Sequence, residues 1–313
     1  MGLALSLLLW SAAPAWSCPA SAVLRFVVPF PPGGSYDVLA REIALRLSER
    51  PDRQVVVENR SGGNGEVGTT HVAKSAADGC TLVFWGDGIL INQATMPART
   101  VDVLRDFAPV TLVARTAQTL VARSGFSAGS LEEVIALSMQ PDADVRYGTA
   151  GVGTPGHLVM ELLNAMSGSR LRHVPYRGGA PALTDVLGGH VDLVSTGLPA
   201  LIGQIRSGAL IPLAVSPLTR TPVLPGVPTF AELIPGVFFD TWYGFLAPAG
   251  TPAAVTAGLH ADIAAVMKTP EMAAKLGEMG FEIYDLGPDE LGELMRADLP
   301  RLTRIVALSG IAR

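Results

Sequence analysis

Residues 61–68 read SGGNGEVG, and within them Gly63, Gly65 and Gly68 complete a G-x-G-x-x-G. The stretch follows an apolar run, QVVVENR, and precedes a helix-like segment. In that context glycines let a backbone approach a pyrophosphate at a helix N-terminus. Asp87 follows 24 positions after Gly63, close to the separation of about 20 that ribose recognition requires. Three points stand against a nucleotide. The loop follows the second strand of its unit, the first strand carries a different loop, and the N-terminal MGLALSLLLWSAAPAWSC reads as an export signal, beyond which a protein rarely meets free NAD. No cofactor is expected.

Three other strand-to-helix turns are built alike: PFPPGGSYD (29–37), YGTAGVGTPGH (147–157) and PYRGGAP (175–181). At each, a helix begins with N–H groups that lack intrahelical partners. Glycines clear the approach to those donors, and the helix dipole adds about half a positive charge. Such loops suit an anion. Ser35, Thr149 and Thr154 add hydroxyls, and Thr154-Pro155 forms an N-cap and first-turn pair. One Gly-rich turn is ordinary in any α/β protein; four of them, shared between two lobes at the carboxyl edges of sheets, converge where ligands of open α/β sheets bind. A side chain introduced at Gly34 or Gly153 should intrude on the anion.

Catalytic signatures are missing. There is no G-x-S-x-G elbow, no Ser precedes any of the three lysines by three positions, and His71, His157, His173, His190 and His260 form no metal-binding spacing. His157 and Glu161 sit at i and i+4, which offers two metal ligands; packing or hydrogen bonding near the third loop is the plainer role for His157. Asp37 falls in the first turn of a helix, where a carboxylate caps backbone N–H groups. Trp242 and Tyr243 either line a cleft or brace a hinge. No metal is expected, and the chain is not read as an enzyme.

The elements that must position these loops alternate. VLRFVVPF leads into DVLAREIALRLSER, QVVVENR into a helix over 65–76, and TLVFWGD closes a third unit. Apolar strands followed by amphipathic helices indicate a parallel sheet covered on both faces. DFAPVTLVARTAQTLVARSG reads as one or two connecting strands, after which alternation restarts with SLEEVIALSMQP, where Ser130 and Glu133 suggest a capping box. FFDTWYGFLAPAG then leads into a helix with Thr251 as N-cap, and a last helix starts at Pro288. The final elements form no complete β/α set and should return to the first lobe. The expected fold is α/β and two-lobed: residues 23–119 with 241–313 form lobe 1, residues 120–240 lobe 2, and a cleft lies between them.

Of the 313 residues, 49% are apolar and 16% charged, with a net charge of −5 and lysine only at Lys74, Lys268 and Lys275. That composition is globular and offers no basic face for nucleic acid. The N-terminus, MGLALSLLLWSAAPAWSC, reads as a signal peptide over 1–15, with a second cleavage site at Ala20-Ser21-Ala22. A buried strand and a lipoprotein anchor at Cys18 are the alternatives. Cys18 and Cys80 each lie just before a predicted strand, so a disulfide is geometrically reasonable; loss of Cys18 on cleavage, or two reduced thiols, are equally open.

VVPFPPGGSYDVLAR, VVVENRSGGNGEVGTTHVAKSAADGCTL, VRYGTAGVGTPGHLVMELL, HVPYRGGAPALTDVLGGHVDL and WYGFLAPAGTP, in that order, resemble the receptor proteins of tripartite tricarboxylate transporters, the Bug-type extracytoplasmic solute-binding family. The resemblance runs from about residue 24 almost to the C-terminus. It implies a type II periplasmic binding protein fold, a Venus flytrap, that closes on a small organic carboxylate and delivers it to membrane transporter subunits, acting in the periplasm as a monomer. An exported enzyme or a signalling receptor using the same cleft are the rival readings. The ligand residues so implied are Pro32, Gly33, Gly34, Ser35 and Asp37; Gly63, Asn64 and Gly65; Thr149, Gly151, Gly153, Thr154 and His157; Tyr176 and Gly178; and Gly197. The sequence departs from the family pattern at Ser61, at Cys80 and at Ser195-Thr196-Gly197, where an Asp-containing turn is frequent.

Overall fold

The computed structural model describes Cys18 and residues 22–51, 53–96 and 100–311; the signal-peptide reading lies outside them. In chain order the elements are β1 (Val23–Val28), α1 (Ser35–Ser48), β2 (Gln54–Asn59), α2 (Glu66–Ala73), β3 (Thr81–Gly86), α3 (Gly88–Thr95), α4 (Val103–Asp106), β4 (Phe107–Thr116) and β5 (Gln118–Arg123). They continue with α5 (Leu131–Ser138), β6 (Arg146–Thr149), α6 (Pro155–Ser167), β7 (Arg172–Pro175), α7 (Gly179–Leu187), β8 (Leu193–Gly197), α8 (Leu198–Arg206) and β9 (Leu210–Val215). Last come α9 (Phe230–Leu233), β10 (Thr241–Pro248), α10 (Ala253–Met267), α11 (Pro270–Glu278), β11 (Phe281–Leu286) and α12 (Pro288–Ser309).

Two sheets result. The first has six strands in the order β11-β4-β10-β3-β1-β2, and the second five in the order β7-β6-β8-β5-β9. Within the first, β1, β2 and β3 are parallel, and β10 enters antiparallel between β3 and β4. Within the second, β6, β7 and β8 are parallel, while β5 runs antiparallel to both its neighbours. The chain leaves the first sheet at Thr116, crosses through Ala117 into β5, and returns at Thr241. The connecting stretch DFAPVTLVARTAQTLVARSG therefore forms two strands, one in each sheet.

Side-chain alternation explains why both sheets are covered. Along β5, Leu120 and Ala122 join the main apolar core, whereas Val121 faces a second cluster with Ala182, Val186 and Leu201. In α1 the buried Leu39, Ala40, Ile43, Ala44 and Leu47 form one helical stripe, which seats the helix against the sheet and aims its N-terminus at the strand ends. Cys18 is bonded to Cys80 at the start of β3, and the Arg25 N–H donates to the Cys80 carbonyl, 2.8 Å. The disulfide anchors the chain before β1 to the strand beside it.

Three local expectations change. Thr251 does not cap α10: its hydroxyl donates to the Pro248 carbonyl at 2.8 Å and Pro252 takes the cap position. Ser130 caps α5, yet Glu133 reaches back to the Gly129 N–H, 2.7 Å, rather than to Ser130. The second helix runs over Glu66–Ala73 rather than 65–76: Gly63–Gly65 form a separate 3-10 turn ahead of it, with Asn64 at φ 53, and Lys74 caps its end.

Candidate functional site

Four helices start at one point between the two sheets. Gly34 precedes α1, Thr154 precedes α6, Gly178 precedes α7 and Gly197 precedes α8. Around a buried inner cavity lie Gly34, Ser35, Tyr36 and Asp37 from the first, Thr154, Pro155 and Gly156 from the second, Gly179 from the third, and Ser195, Thr196 and Gly197 from the end of β8. In α1 the first intrahelical bond is Val38 N–H to the Gly34 carbonyl, so three earlier N–H groups remain for other partners. Close approach makes this convergence possible: a Cβ on Gly156 would stand 2.3 Å from the Ser195 carbonyl oxygen.

The remaining lining is Phe30, Trp85, Gln118, Ala150 and Tyr243. Phe30 stacks on Tyr36 at 5.5 Å, meets Trp85 edge-on at 5.2 Å, and Tyr36 lies 4.5 Å from Tyr243. The Tyr243 hydroxyl donates to Ser35 Oγ, 3.0 Å. Gln118 is held by its Nε2 donating to Thr241 Oγ1, 2.9 Å, where the chain crosses between the sheets. The cavity is nearly shut, with about 30 Å³ open to the centres of water molecules, enough for two or three waters at about 10–15 Å³ each.

Among the described residues, no Lys, Arg or His lines this cavity. Its one carboxylate, Asp37, is already engaged: the Gly33 N–H donates to Oδ2 at 2.9 Å, Asn59 Nδ2 to Oδ1 at 2.9 Å, and Arg41 Nε to both oxygens at 3.0 Å. Burial pushes the Asp37 carboxyl up, but the guanidinium, the backbone N–H and the amide outweigh it and hold it below the ordinary carboxylate value. Asp37 shapes its loop. Three polar groups in the lining have no hydrogen bond: Tyr36 OH, Trp85 Nε1 and Ser195 Oγ. Trp85 and Ser195 are each only 1% exposed. The indole N–H leans toward the Tyr36 hydroxyl without reaching hydrogen-bond geometry.

A second, outer cavity shares Phe30 and Ala150 with the first and opens about 520 Å³ to water centres. Gly63, Asn64, Gly65, Gly151 and Tyr176 line it, with Met96 and Arg177. SGGNG thus faces the mouth of the cleft, and it touches the interior at one remove. Gly65, at φ +90, lies so close on the Trp85 ring that a Cβ would stand 2.3 Å from it. Asn64 spans the mouth: its Nδ2 donates to the Val152 carbonyl on the second-sheet side and to Asn92 Oδ1 at 2.7 Å, while Asn92 Nδ2 donates to the Asn64 carbonyl at 2.6 Å.

Of the residues singled out from sequence, Gly34, Ser35, Asp37, Thr154 and Gly197 reach the inner cavity, and Pro32, Gly33, Thr149, Gly153, His157 and Gly178 line neither cavity. His157 Nδ1 accepts from the Gly153 N–H, 3.1 Å, and its ring stacks on His173 at 3.9 Å, whose Nε2 meets Thr149 Oγ1 at 2.7 Å. Burial, then the neighbouring His173, pushes His157 down to about 3, and burial pushes His173 to about 4. Two neutral imidazoles brace the third loop. Glu161 lies 4.0 Å from His157 and accepts the Tyr147 hydroxyl. Thr154 stands at the cap of α6, yet its hydroxyl donates to the Gly151 carbonyl, 2.8 Å, instead of accepting from the helix. Sequence reasoning did not single out Phe30, Tyr36, Trp85, Gln118 or Gly156; Trp85 is packed by Gly65 and Gly88, where a Cβ would stand 2.3 and 2.6 Å from it, a contact that only the fold creates.

The sequence profile of the tripartite tricarboxylate transporter family receptors matches residues 39–311. The chain belongs to this family. Protein BugT of Bordetella pertussis is 32% identical over 290 residues, covering 92% of this chain and 89% of that one. A Rhodopseudomonas palustris protein solved with adipate, Rpa4515, superposes with a TM-score of 0.88 at 34% identity, over 92% of this chain and 97% of that chain. MatC from the same organism, solved with malate, gives 0.85 at 28% identity, over 91% and 98%. The two-lobed α/β architecture is shared with these proteins and with the periplasmic binding protein BugD, which superposes with a TM-score of 0.87 at 30% identity, over 92% of this chain and 98% of that chain. No described helix of this family member is long and apolar enough to cross a membrane.

Proposed function

We propose that the protein is an extracytoplasmic receptor that captures a small organic carboxylate between its lobes and hands it to the membrane subunits of a tripartite transporter. The observation that carries this is the meeting of four helix N-termini, from both sheets, around a buried cavity without a basic side chain. A micromolar affinity needs about 8 kcal/mol. Several hydrogen bonds to a charged group, at about 1.5–3 kcal/mol each, reach that sum when closure excludes water. An acidic protein can thus hold an anion through amides and hydroxyls.

In this reading residues 23–119 and 241–313 move against 120–240 about the crossings near Ala117 and Asp240, and a ligand that touches both lobes favours closure. The proposed ligand groups include Gly34, Ser35, Thr154 and Gly197. Relatives solved with adipate and malate support a carboxylate as cargo. The disulfide fits an oxidising compartment such as the periplasm, entered by an N-terminal signal peptide. No catalytic step and no cofactor belong to this reading, and the receptor acts as a monomer.

Denaturing the purified protein and identifying the released small molecules by mass spectrometry tests it. An organic acid is the expected result; NAD or a flavin overturns the reading. In a thermal-shift screen, an acid present at 100 times its Kd should add about 2.7 kcal/mol of stability. Silence across all mono- and dicarboxylates counts against the proposal.

A further inference from the structure

We propose that the acid carried in the cleft is a monocarboxylate with a flat, aromatic body that bears one uncharged hydrogen-bond acceptor, such as a hydroxyl. This rests on the reading of the cleft as a carboxylate site and narrows it.

The lining is divided. Rings of Phe30, Tyr36, Trp85 and Tyr243 come only from the first-sheet lobe, packed on one another at 4.5–5.5 Å. Since all four belong to one lobe, a hinge motion between lobes should leave this arrangement intact. Opposite them the second-sheet lobe presents glycine backbone and the hydroxyls of Thr154, Ser195 and Thr196. One wall suits the charged end of an acid, and the other suits a ring packed edge or face onto rings, each favourable pair being worth up to about ten-fold in affinity.

Charge at the far end has no counterpart. An amino acid would bring an ammonium, and the one carboxylate in the lining, Asp37, is saturated by Gly33, Arg41 and Asn59. A dicarboxylate would bring a second anion to a wall that has no cation among the described residues. What the ring wall does lack is an acceptor. Trp85 Nε1 is donor-only, and Tyr36 OH beside it is likewise unpaired. A neutral oxygen on the ligand's ring satisfies them without adding charge.

Isothermal titration of the mature protein with benzoate, 3- and 4-hydroxybenzoate, cyclohexanecarboxylate, adipate, malate and aspartate decides. We expect at least one hydroxybenzoate to bind roughly ten-fold or more tightly than cyclohexanecarboxylate, adipate, malate and aspartate, since a ring pair and a satisfied donor each contribute up to about ten-fold. In Trp85→Phe, the ratio of hydroxybenzoate to benzoate affinity should fall by about ten-fold. Tyr36→Phe, which leaves the indole in place, checks the same ratio should the tryptophan variant fold poorly. Tighter binding of adipate, malate or aspartate than of every aromatic acid overturns this inference and leaves the carboxylate reading standing, as does equal affinity for benzoate and cyclohexanecarboxylate. Failure of every acid in the set to bind overturns both.

Discussion

The two walls of the cleft are made by the same device, a glycine turn from strand to helix, and yet they differ in what they offer. On the second-sheet side three helix starts, at Thr154, Gly178 and Gly197, bring amides and hydroxyls to one cavity. On the first-sheet side only α1 begins there, and the rest of the wall is aromatic. The backbone plan is the same on both sides, since β10 and β5 are the antiparallel neighbours of β3 and β8, and the difference lies in their side chains: Tyr243 stands opposite Gly86, whereas Gln118 stands opposite Gly197. In this view the second wall sets whether an acid binds, and the first sets which acid.

The largest expected effect concerns the fold of the first lobe alone. The Cys18–Cys80 bond closes a loop of 62 residues, for which chain entropy gives about 4 kcal/mol. Cys80→Ser should lower the melting temperature by about 8 °C, at roughly 2 °C per kcal/mol, and weaken hydrogen-exchange protection in β1–β3 more than in β5–β9. Equal loss in both sheets would show that the lobes melt as one unit and that the comparison has no energetic counterpart.

Next in size is Gly34→Val. Gly34 has an ordinary φ of −80 and nothing within 4 Å of its Cβ position, yet it lines the inner cavity. Affinity for every acid should fall by about 100-fold or more, close to 3 kcal/mol, while ligand-free stability stays within about 0.5 kcal/mol. Gly153 behaves otherwise: at φ +71 its Cβ would stand 2.8 Å from Thr95 Oγ1 and 2.9 Å from Asn92 Oδ1. Gly153→Val should therefore lose stability as well as closure. Unchanged binding in Gly34→Val would remove α1 from the site.

The two lobes also carry buried groups of opposite pH sign, behind the cleft walls. His157, held near 3, has a folded value below the unfolded 6.5, so its contribution is full above about pH 6.5 and is lost as pH falls. By pH 5 that loss is about 2 kcal/mol, from 1.5 units at about 1.4 kcal/mol each. Asp87 is pushed well above 3.8, first by burial and then by Asp298, so its contribution is present at low pH and is lost as pH rises through its folded value. His157→Asn, which can still accept from the Gly153 N–H, should flatten the acid limb of a melting-temperature profile between pH 4.5 and 6.5, and Asp87→Asn should remove a decline that sets in as pH rises above about 3.8. An acid limb unchanged by His157→Asn would sink the assignment.

The alternation of apolar strands and amphipathic helices, and the four glycine turns, were legible because each is a local pattern. The ring wall was not. Trp85, Tyr243 and Phe30 are brought together by the order β10-β3-β1 within the sheet, and nothing in their spacing of 158 positions between Trp85 and Tyr243 announces contact. Within the loops, the glycines could be read but not which residue faces inward: Gly34 does and Gly33 does not, because Gly33 spends its N–H on Asp37. His157 reads as a packing or hydrogen-bonding residue by its own position and as a ligand only by the resemblance; its bond to the Gly153 N–H and its stacking on His173 make it a brace.

The smallest effect tests the loop whose glycines resemble a nucleotide site. Asn64 is the one described non-glycine residue at positive φ, a conformation that costs Asn less than most residues. Its amide reaches Val152 across the cleft mouth, and we propose that it counts toward closure and not toward the anion. Asn64→Gly keeps the backbone conformation without strain and removes the side-chain bonds to Val152 and Asn92, each worth about 1 kcal/mol. Acid affinity should fall roughly three- to ten-fold, equally for aromatic and aliphatic acids and mainly through a faster off-rate in stopped-flow. A change confined to some acids would mean that Asn64 meets the ligand itself, and the outer cavity would then belong to the binding wall rather than to its latch.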